Sequence, residues 1–396
     1  MIGQLRGILI MWLNDKIFFE FVIIYLIINR KLMKILHIID SLEMGGAENL
    51  LIPLTAEQKY QGNIVSVLLL KKASNPTVTK KIQDNGISVS WLTEGSLYNP
   101  LLIFKLRPFL KHYDIVHVHL FPALYWVGFA KWITNSSTPL IYTEHSTNNR
   151  RRQNLLLKYV DRIVYQYAYR HVIACSEKAR ETFIQAYPNI RHITPVNNGV
   201  DIKQNIQAVP YTKQELLGIS ENSFLVTMVA RFMFMKRQDT IVEAIAKLPS
   251  QFHACLVGSE PEDEGLIKVK ELAENLGVSD RVHFLYIRSD VPRILKTSDV
   301  VIMSSEYEGL SLSSIEGMAA GKPFIATNVN GLKEVVSGAG ELFELYNSDQ
   351  LAKILLKLES DKDYYAMLAN RCSQRASEYD IKIMVNNYTE IYKRVL

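Results

Sequence analysis

The chain has 396 residues, a net charge of +5, and 48% apolar against 21% charged residues. That length allows two domains with separate cores, and the composition excludes disordered and fibrous classes. The mild positive balance suits an acidic ligand or an anionic membrane surface; with no aromatic residues interleaved in a basic repeat, it argues against nucleic acid.

Three cysteines, Cys175, Cys255 and Cys372, lack metal-ligand spacing and suit reduced thiols in a cytoplasmic protein. Residues 1–33 differ from the rest. Their two apolar runs are split by Asn14, Asp15 and Lys16, and each is too short to span a bilayer. Three readings stay open for this extension: an upstream mis-start, an interfacial anchor, or a structured helix.

From residue 34 onward, strands and helices alternate. A continuous apolar strand at 34–39 leads to Gly45-Gly46 and a helix over 47–61. Two glycines there let backbone approach a phosphate or a sugar, or simply make a tight turn. Strands follow at 64–70, 87–92, 114–119 and 140–143, separated by helices at 78–85, 101–112 and 123–132. The strand at 114–119 ends on His117 and His119, and the next one ends in Glu144-His145-Ser146. A histidine at that position can donate to a sugar hydroxyl or a phosphate oxygen, or be satisfied by local backbone.

Arg150, Arg151 and Arg152 form a basic cluster just beyond it, within a stretch (144–191) of nine Lys/Arg and four Asp/Glu. Such a cluster faces phosphates of a lipid or diphosphate-linked acceptor, or is a solvated helix face. After a helix at 155–169, a strand at 171–175 and a helix at 176–186, residues 201–213 lack periodicity and serve as the interdomain linker.

The alternation repeats beyond it. A strand at 224–230 opens a loop carrying Arg231 and Lys236, two cations able to clamp a diphosphate. Strands at 253–257, 282–285, 298–303 and 324–326 complete a second unit. This run of βα units predicts an α/β protein with two doubly wound parallel sheets, hence two Rossmann-like domains facing a cleft.

The last loop–helix segment holds Glu308 and Glu316 at a strand's carboxyl end, where ligands of open α/β sheets bind. Carboxylates accept from hydroxyls, while a helix N-terminus favours an anion. Ser313 to Glu316 also fits a capping box, in which Glu316 would only satisfy its own helix.

The stretch EYEGLSLSSIEGMAAGKPFIAT, with GGAEN, TEHS, NNGVD and VARFMFMKRQD elsewhere, resembles the family 4 retaining glycosyltransferases of GT-B architecture. The likeness covers nearly everything from Met33 onward. It implies a first domain at 34–205 on the acceptor side, a nucleotide-sugar domain at 206–378, and a terminal helix at 379–396 crossing back. It implies donor-sugar contacts at Glu308, Gly309 and Leu310, a ribose ligand at Glu316, and diphosphate neutralisation by Arg231 and Lys236. Gly46 would lie in the loop approaching donor and acceptor, and His145 near the sugar and leaving phosphate, a catalytic role shared with Glu308. His119 and Arg150–Arg152 are the acceptor or membrane-side candidates.

Two residues depart from the family pattern: Gly317 stands where Ala is usual, and Tyr286 where Gly is common. The implied reaction moves a sugar from a nucleotide diphosphate, UDP above all, to a hydroxyl of a glycan or polyprenyl-diphosphate-linked acceptor. No metal or other cofactor is expected, and the enzyme would work at the cytoplasmic membrane face in surface polysaccharide synthesis. The rivals are an epimerase or hydrolase of the same fold and a non-catalytic sugar-nucleotide-binding protein.

Overall fold

The structure, a computed structural model, describes residues 32–43, 45–145, 149–308 and 311–396, with Arg150 described in its backbone alone. Residues 1–31 of the N-terminal extension lie outside these, as do Gly309 and Leu310. Among the described residues no helix is long and apolar enough to cross a membrane.

Two parallel sheets carry the chain. The first contains β1 (Lys34–Ile39), β2 (Ile64–Lys71), β3 (Ser88–Thr93), β4 (Ile115–His119), β5 (Leu140–Glu144), β6 (His171–Ala174) and β7 (Ile193–Pro195), in the order β3-β2-β1-β4-β5-β6-β7. The second contains β8 (Phe224–Val229), β9 (Phe252–Val257), β10 (Val282–Phe284), β11 (Val300–Met303), β12 (Phe324–Thr327) and β13 (Glu341–Phe343), in the order β10-β9-β8-β11-β12-β13. The strand order reverses between β1 and β4 in one sheet and between β8 and β11 in the other. A crevice forms at each reversal, outside the strands' carboxyl ends, because the connecting helices leave to opposite faces.

Alternation along the strands sorts side chains between those faces. Leu36, Ile38, Val116, Val118 and Tyr142 enter one core of the first domain, while Ile35, Ile39, Ile115 and Ile141 enter the other. The second core also takes Met384, Val385, Tyr388 and Tyr392 from the C-terminal helix Ile381–Val395. The chain's last helix is thus a structural part of its first domain. The two crossings between domains touch: Ile381 N–H donates to Val200 C=O at 2.9 Å and Val200 N–H to Tyr379 C=O at 3.0 Å. A side chain at Gly199 would come within 2.8 Å of the Ile381 backbone, so this close crossing requires glycine.

Two expectations are corrected. The helix predicted over 101–112 breaks into Leu102–Leu106 and a short turn at Phe109–Lys111, because Pro108 has no N–H to continue it. The presumed linker at 201–213 contains a helix, Ile202–Gln207, started by the Asp201 carboxylate accepting from Gln204 N–H.

Candidate functional site

The second domain contributes two adjacent loops, one after β8 and one after β11, on either side of the strand-order reversal. Ser304, fully buried, stitches them together: its hydroxyl donates to the carbonyls of Lys236 (3.0 Å) and Arg237 (2.8 Å). Glu306 N–H donates to Met235 C=O at 2.8 Å, a second stitch. These bonds bring the Lys236 ammonium to 2.5 Å from the Glu308 carboxylate, with side-chain exposures of 19% and 13%. The Ser305 hydroxyl donates to the same carboxylate oxygen at 2.8 Å.

Arg231 is exposed near the start of the loop after β8 and forms no ion pair among the described residues. Its neighbour Arg237 is spent, pairing with Asp239 at 2.6 Å and lying over the rings of Phe234 and Tyr346.

Glu316 lies on the helix Leu312–Ala319. That helix is capped by Ser311, whose hydroxyl accepts from Ser314 N–H at 3.3 Å, so the capping-box reading of Glu316 is wrong. Its carboxyl is free of that task. Burial pushes it up to about 7, against the opposing pull of Lys81 from the first domain. The helix lies directly on the sheet: a side chain at Gly317 would meet the Phe324 ring at 2.7 Å and Val301 at 2.8 Å. Glycine replaces the family's usual Ala here because β11 and β12 leave no room. Tyr286 adopts φ +49°, the left-handed region that glycine enters most easily, which accounts for the family's preference there.

Facing this wall, the first domain presents the end of β1, the start of the helix Gly46–Tyr60, and His145 after β5. A side chain at Gly45 would collide with the Glu48 carboxylate, whereas one at Gly46 would meet nothing. The fold itself therefore makes no demand for glycine at Gly46. Asp40 accepts from Ala123 N–H at 2.7 Å, and burial raises its carboxyl to about 7, helped by Glu48. Glu48 is itself raised by burial, with Arg231 across the cleft pulling the other way. His145 is lowered to about 4 by burial, which keeps it neutral.

His119 lies behind His145 rather than beside it, buried with its Nδ1 at 3.1 Å from His145 Nε2. Arg151 and Arg152 turn inward. Arg151 lies 3.3 Å from Asp161, and Arg152 lies 3.1 Å from Glu144. Asp161 also accepts from the hydroxyls of Tyr125 (2.7 Å) and Tyr187 (2.8 Å). These two arginines hold β5 and the helix Leu155–Tyr167 together and do not make an outward basic face.

Comparison with known proteins gives a match for each of the two domains. Residues 44–204 match Glycosyltransferase Family 4, and residues 212–378 match Glycosyl transferases group 1. The N-acetyl-alpha-D-glucosaminyl L-malate synthase of Bacillus anthracis is 27% identical over 72% of this chain and 76% of its own length. The UDP-Gal:alpha-D-GlcNAc-diphosphoundecaprenol alpha-1,3-galactosyltransferase of Escherichia coli is 25% identical over 71% and 76%. Among solved structures, HepE of Anabaena in complex with UDP superposes with a TM-score of 0.79 at 26% identity, covering 90% of this chain and 99% of that one. The chain belongs to the family 4 glycosyltransferases, with GT-B architecture.

Several residues of this candidate site escape sequence reasoning. Ser304 and Ser305 look like ordinary loop serines until the two loops are seen side by side. Asp40 looks like the end of a strand. The H-x-H spacing of His117 and His119, period two on one sheet face, was a usable signal, but their partner His37 lies eighty residues earlier on a neighbouring strand.

Proposed function

We propose that this hexosyl-transferring enzyme takes its sugar from a uridine diphosphate donor and passes it, with retention, to a hydroxyl of a lipid-linked or glycan acceptor. The observation that carries this reading is the Lys236–Glu308 pair at 2.5 Å, with Arg231 open beside it and Glu316 one helix away on the same wall. On donor binding Lys236 and Arg231 meet the diphosphate, freeing Glu308 for sugar hydroxyls, while Glu316 accepts from the ribose. Charge building on the leaving diphosphate is then met by fixed cations, the role a divalent metal fills elsewhere, and no metal is required. The departing phosphate takes the proton of the incoming hydroxyl on the same face.

UDP as donor nucleotide is supported by the relative named for UDP-Gal and by the structures of HepE with UDP and with UDP-glucose. A lipid-linked acceptor is supported by the rim of the first domain. Leu101, Phe104, Leu155, Leu156 and Tyr159 are all exposed there, Leu155 at 85%, around the N-termini of helices that begin at the sheet's carboxyl edge. An apolar rim with Lys105 and Lys158 among it suits an anionic bilayer surface bearing the acceptor's lipid tail.

The test is a thermal-shift panel of nucleoside diphosphates followed by product analysis with a UDP-sugar and a polyprenyl-diphosphate glycan. UDP should stabilise most, and free UDP should appear only when acceptor is present. Release of UDP at the same rate without acceptor would instead favour a hydrolase. No shift with any nucleotide would refute donor binding.

A further inference from the structure

Four histidines of the first domain form one hydrogen-bonded line. His145 Nε2 lies 3.1 Å from His119 Nδ1, His119 Nε2 lies 3.0 Å from His37 Nδ1, and His37 Nε2 lies 2.7 Å from Gln58 Oε1. Gln58 Nε2 donates to the Tyr392 hydroxyl at 3.3 Å. That hydroxyl lies 2.6 Å from His117 Nδ1, whose Nε2 reaches Thr143 Oγ1 at 2.6 Å. All of these residues but His145 are buried, on the sheet face covered by the helices Gly46–Tyr60 and Ile381–Val395. Parallel register explains the assembly: His37 is opposite His117, and His119 is opposite Thr143.

A neutral imidazole has one donor and one acceptor nitrogen, so each link sets the next. Gln58 Oε1 can only accept; His37 therefore donates from Nε2 and accepts at Nδ1. His119 must then donate from Nε2 and accept at Nδ1, and His145 must donate from Nε2. The one ring nitrogen left over is His145 Nδ1, which is buried and has no partner among the described residues. Turning the Gln58 amide over would reverse every proton and leave His145 Nδ1–H as an orphaned buried donor, the costlier kind of orphan.

His37, His117 and His119 also lie close enough to suggest a metal site. Their nitrogens are already engaged in hydrogen bonds, however, and the His117 and His119 rings stack at 4.3 Å rather than converge on a point.

Resting on the transferase reading above, we infer that His119, His37 and Gln58 are positioning residues that hold His145 in its Nε2–H tautomer. Its Nδ1 lone pair is thereby reserved for a hydroxyl hydrogen of the bound ligand. His145 then reads a hydroxyl and not a phosphate oxygen, since a neutral ring in this tautomer has no proton to give at Nδ1. The line ends on Tyr392, so the C-terminal helix supports the same arrangement from behind.

Long-range proton–nitrogen spectra of the full chain, with histidine labelled in nitrogen-15 and signals assigned by single substitutions, read the tautomers directly at pH 7. His145 should be neutral and in the Nε2–H form. His119→Phe and the milder Gln58→Met should each turn it into a mixture, and His119→Asn, whose amide oxygen can accept from Nε2–H, should restore it. In parallel, kcat for sugar transfer should fall about tenfold in the first two variants, the scale of one lost hydrogen bond, with donor KM little changed. An Nδ1–H or charged His145 in the unaltered protein, or an unmoved tautomer in both variants, would overturn the assignment. So would one equivalent of bound zinc with displaced His37, His117 and His119 signals. Should no donor be turned over, the transferase reading fails, while the spectra still decide the tautomer.

Discussion

Two basic clusters occupy matching places in the two domains, each on the loop between a strand and the following helix. Arg150–Arg152 follows β5, and Arg231–Arg237 follows β8. In sequence each carries three cations, the first in three successive residues and the second spread over seven. In the fold Arg151 and Arg152 have little charge to offer, because Asp161 from the next helix and Glu144 from the strand end engage them at 10% side-chain exposure. The second cluster meets three acids yet keeps one cation outside them: Arg237 pairs with Asp239 and Glu306, Lys236 pairs with Glu308, and Arg231 stays exposed with no ion pair among the described residues. Sequence alone does not distinguish a cation buried against fixed acids, such as Arg151, from one left open, such as Arg231.

The difference is sharpest if one cation of each cluster is removed. Lys236→Ala should lower kcat/KM for sugar transfer by about 10²–10³-fold, the usual scale for losing one charge-stabilising donor, with a melting temperature close to that of the unaltered protein. Near-normal turnover would remove Lys236 from the site.

Arg151→Ala should do the reverse. It leaves Asp161 buried without its cation, which costs about 3–5 kcal/mol by denaturant titration, while UDP affinity per folded molecule is retained. A loss of UDP affinity without loss of stability would mean that the two clusters share one task.

The smallest expected effect concerns pH. Burial raises the Glu316 carboxyl from 4.5 to about 7 when no ligand is present. A UDP-sugar, whose phosphodiesters do not titrate in this range, should therefore bind more tightly as pH rises from 6 to 8 and Glu316 ionises. Glu316→Gln should flatten that profile and weaken binding at pH 8 about tenfold. Stability runs the other way. A carboxyl raised in the folded state contributes fully below its ordinary value, and that contribution is lost as pH rises through about 7. Glu316→Gln should then stabilise the ligand-free protein at pH 8 by about 1–3 kcal/mol and change little at pH 4. Melts that shift equally at both pH values would show that Glu316 is not titrating as described.

Much of the fold was legible because apolar strands alternating with amphipathic helices admit few arrangements besides parallel sheets, and the second sheet's site residues fall within two short segments. The glycosyltransferase resemblance rested on the same local runs. Where the expectation failed, the cause was contact with distant parts of the chain or a local rule overlooked. Pro108 was a visible break in its helix, whereas the inward turn of Arg151 and Arg152 depends on acids brought in by packing.

By itself, the sequence determined the alternation of elements, the carboxyl-end placement of Glu308, Glu316, Arg231 and Lys236, and the likeness to family 4. Those properties depend on local spacing, which periodicity records. Only the tertiary structure decided which cations remain open, why Gly317 has no side chain, and how His37, Gln58 and Tyr392 come to stand behind His145. Those depend on side chains up to 334 residues apart along the chain meeting on one sheet face, and local periodicity carries no record of such a meeting.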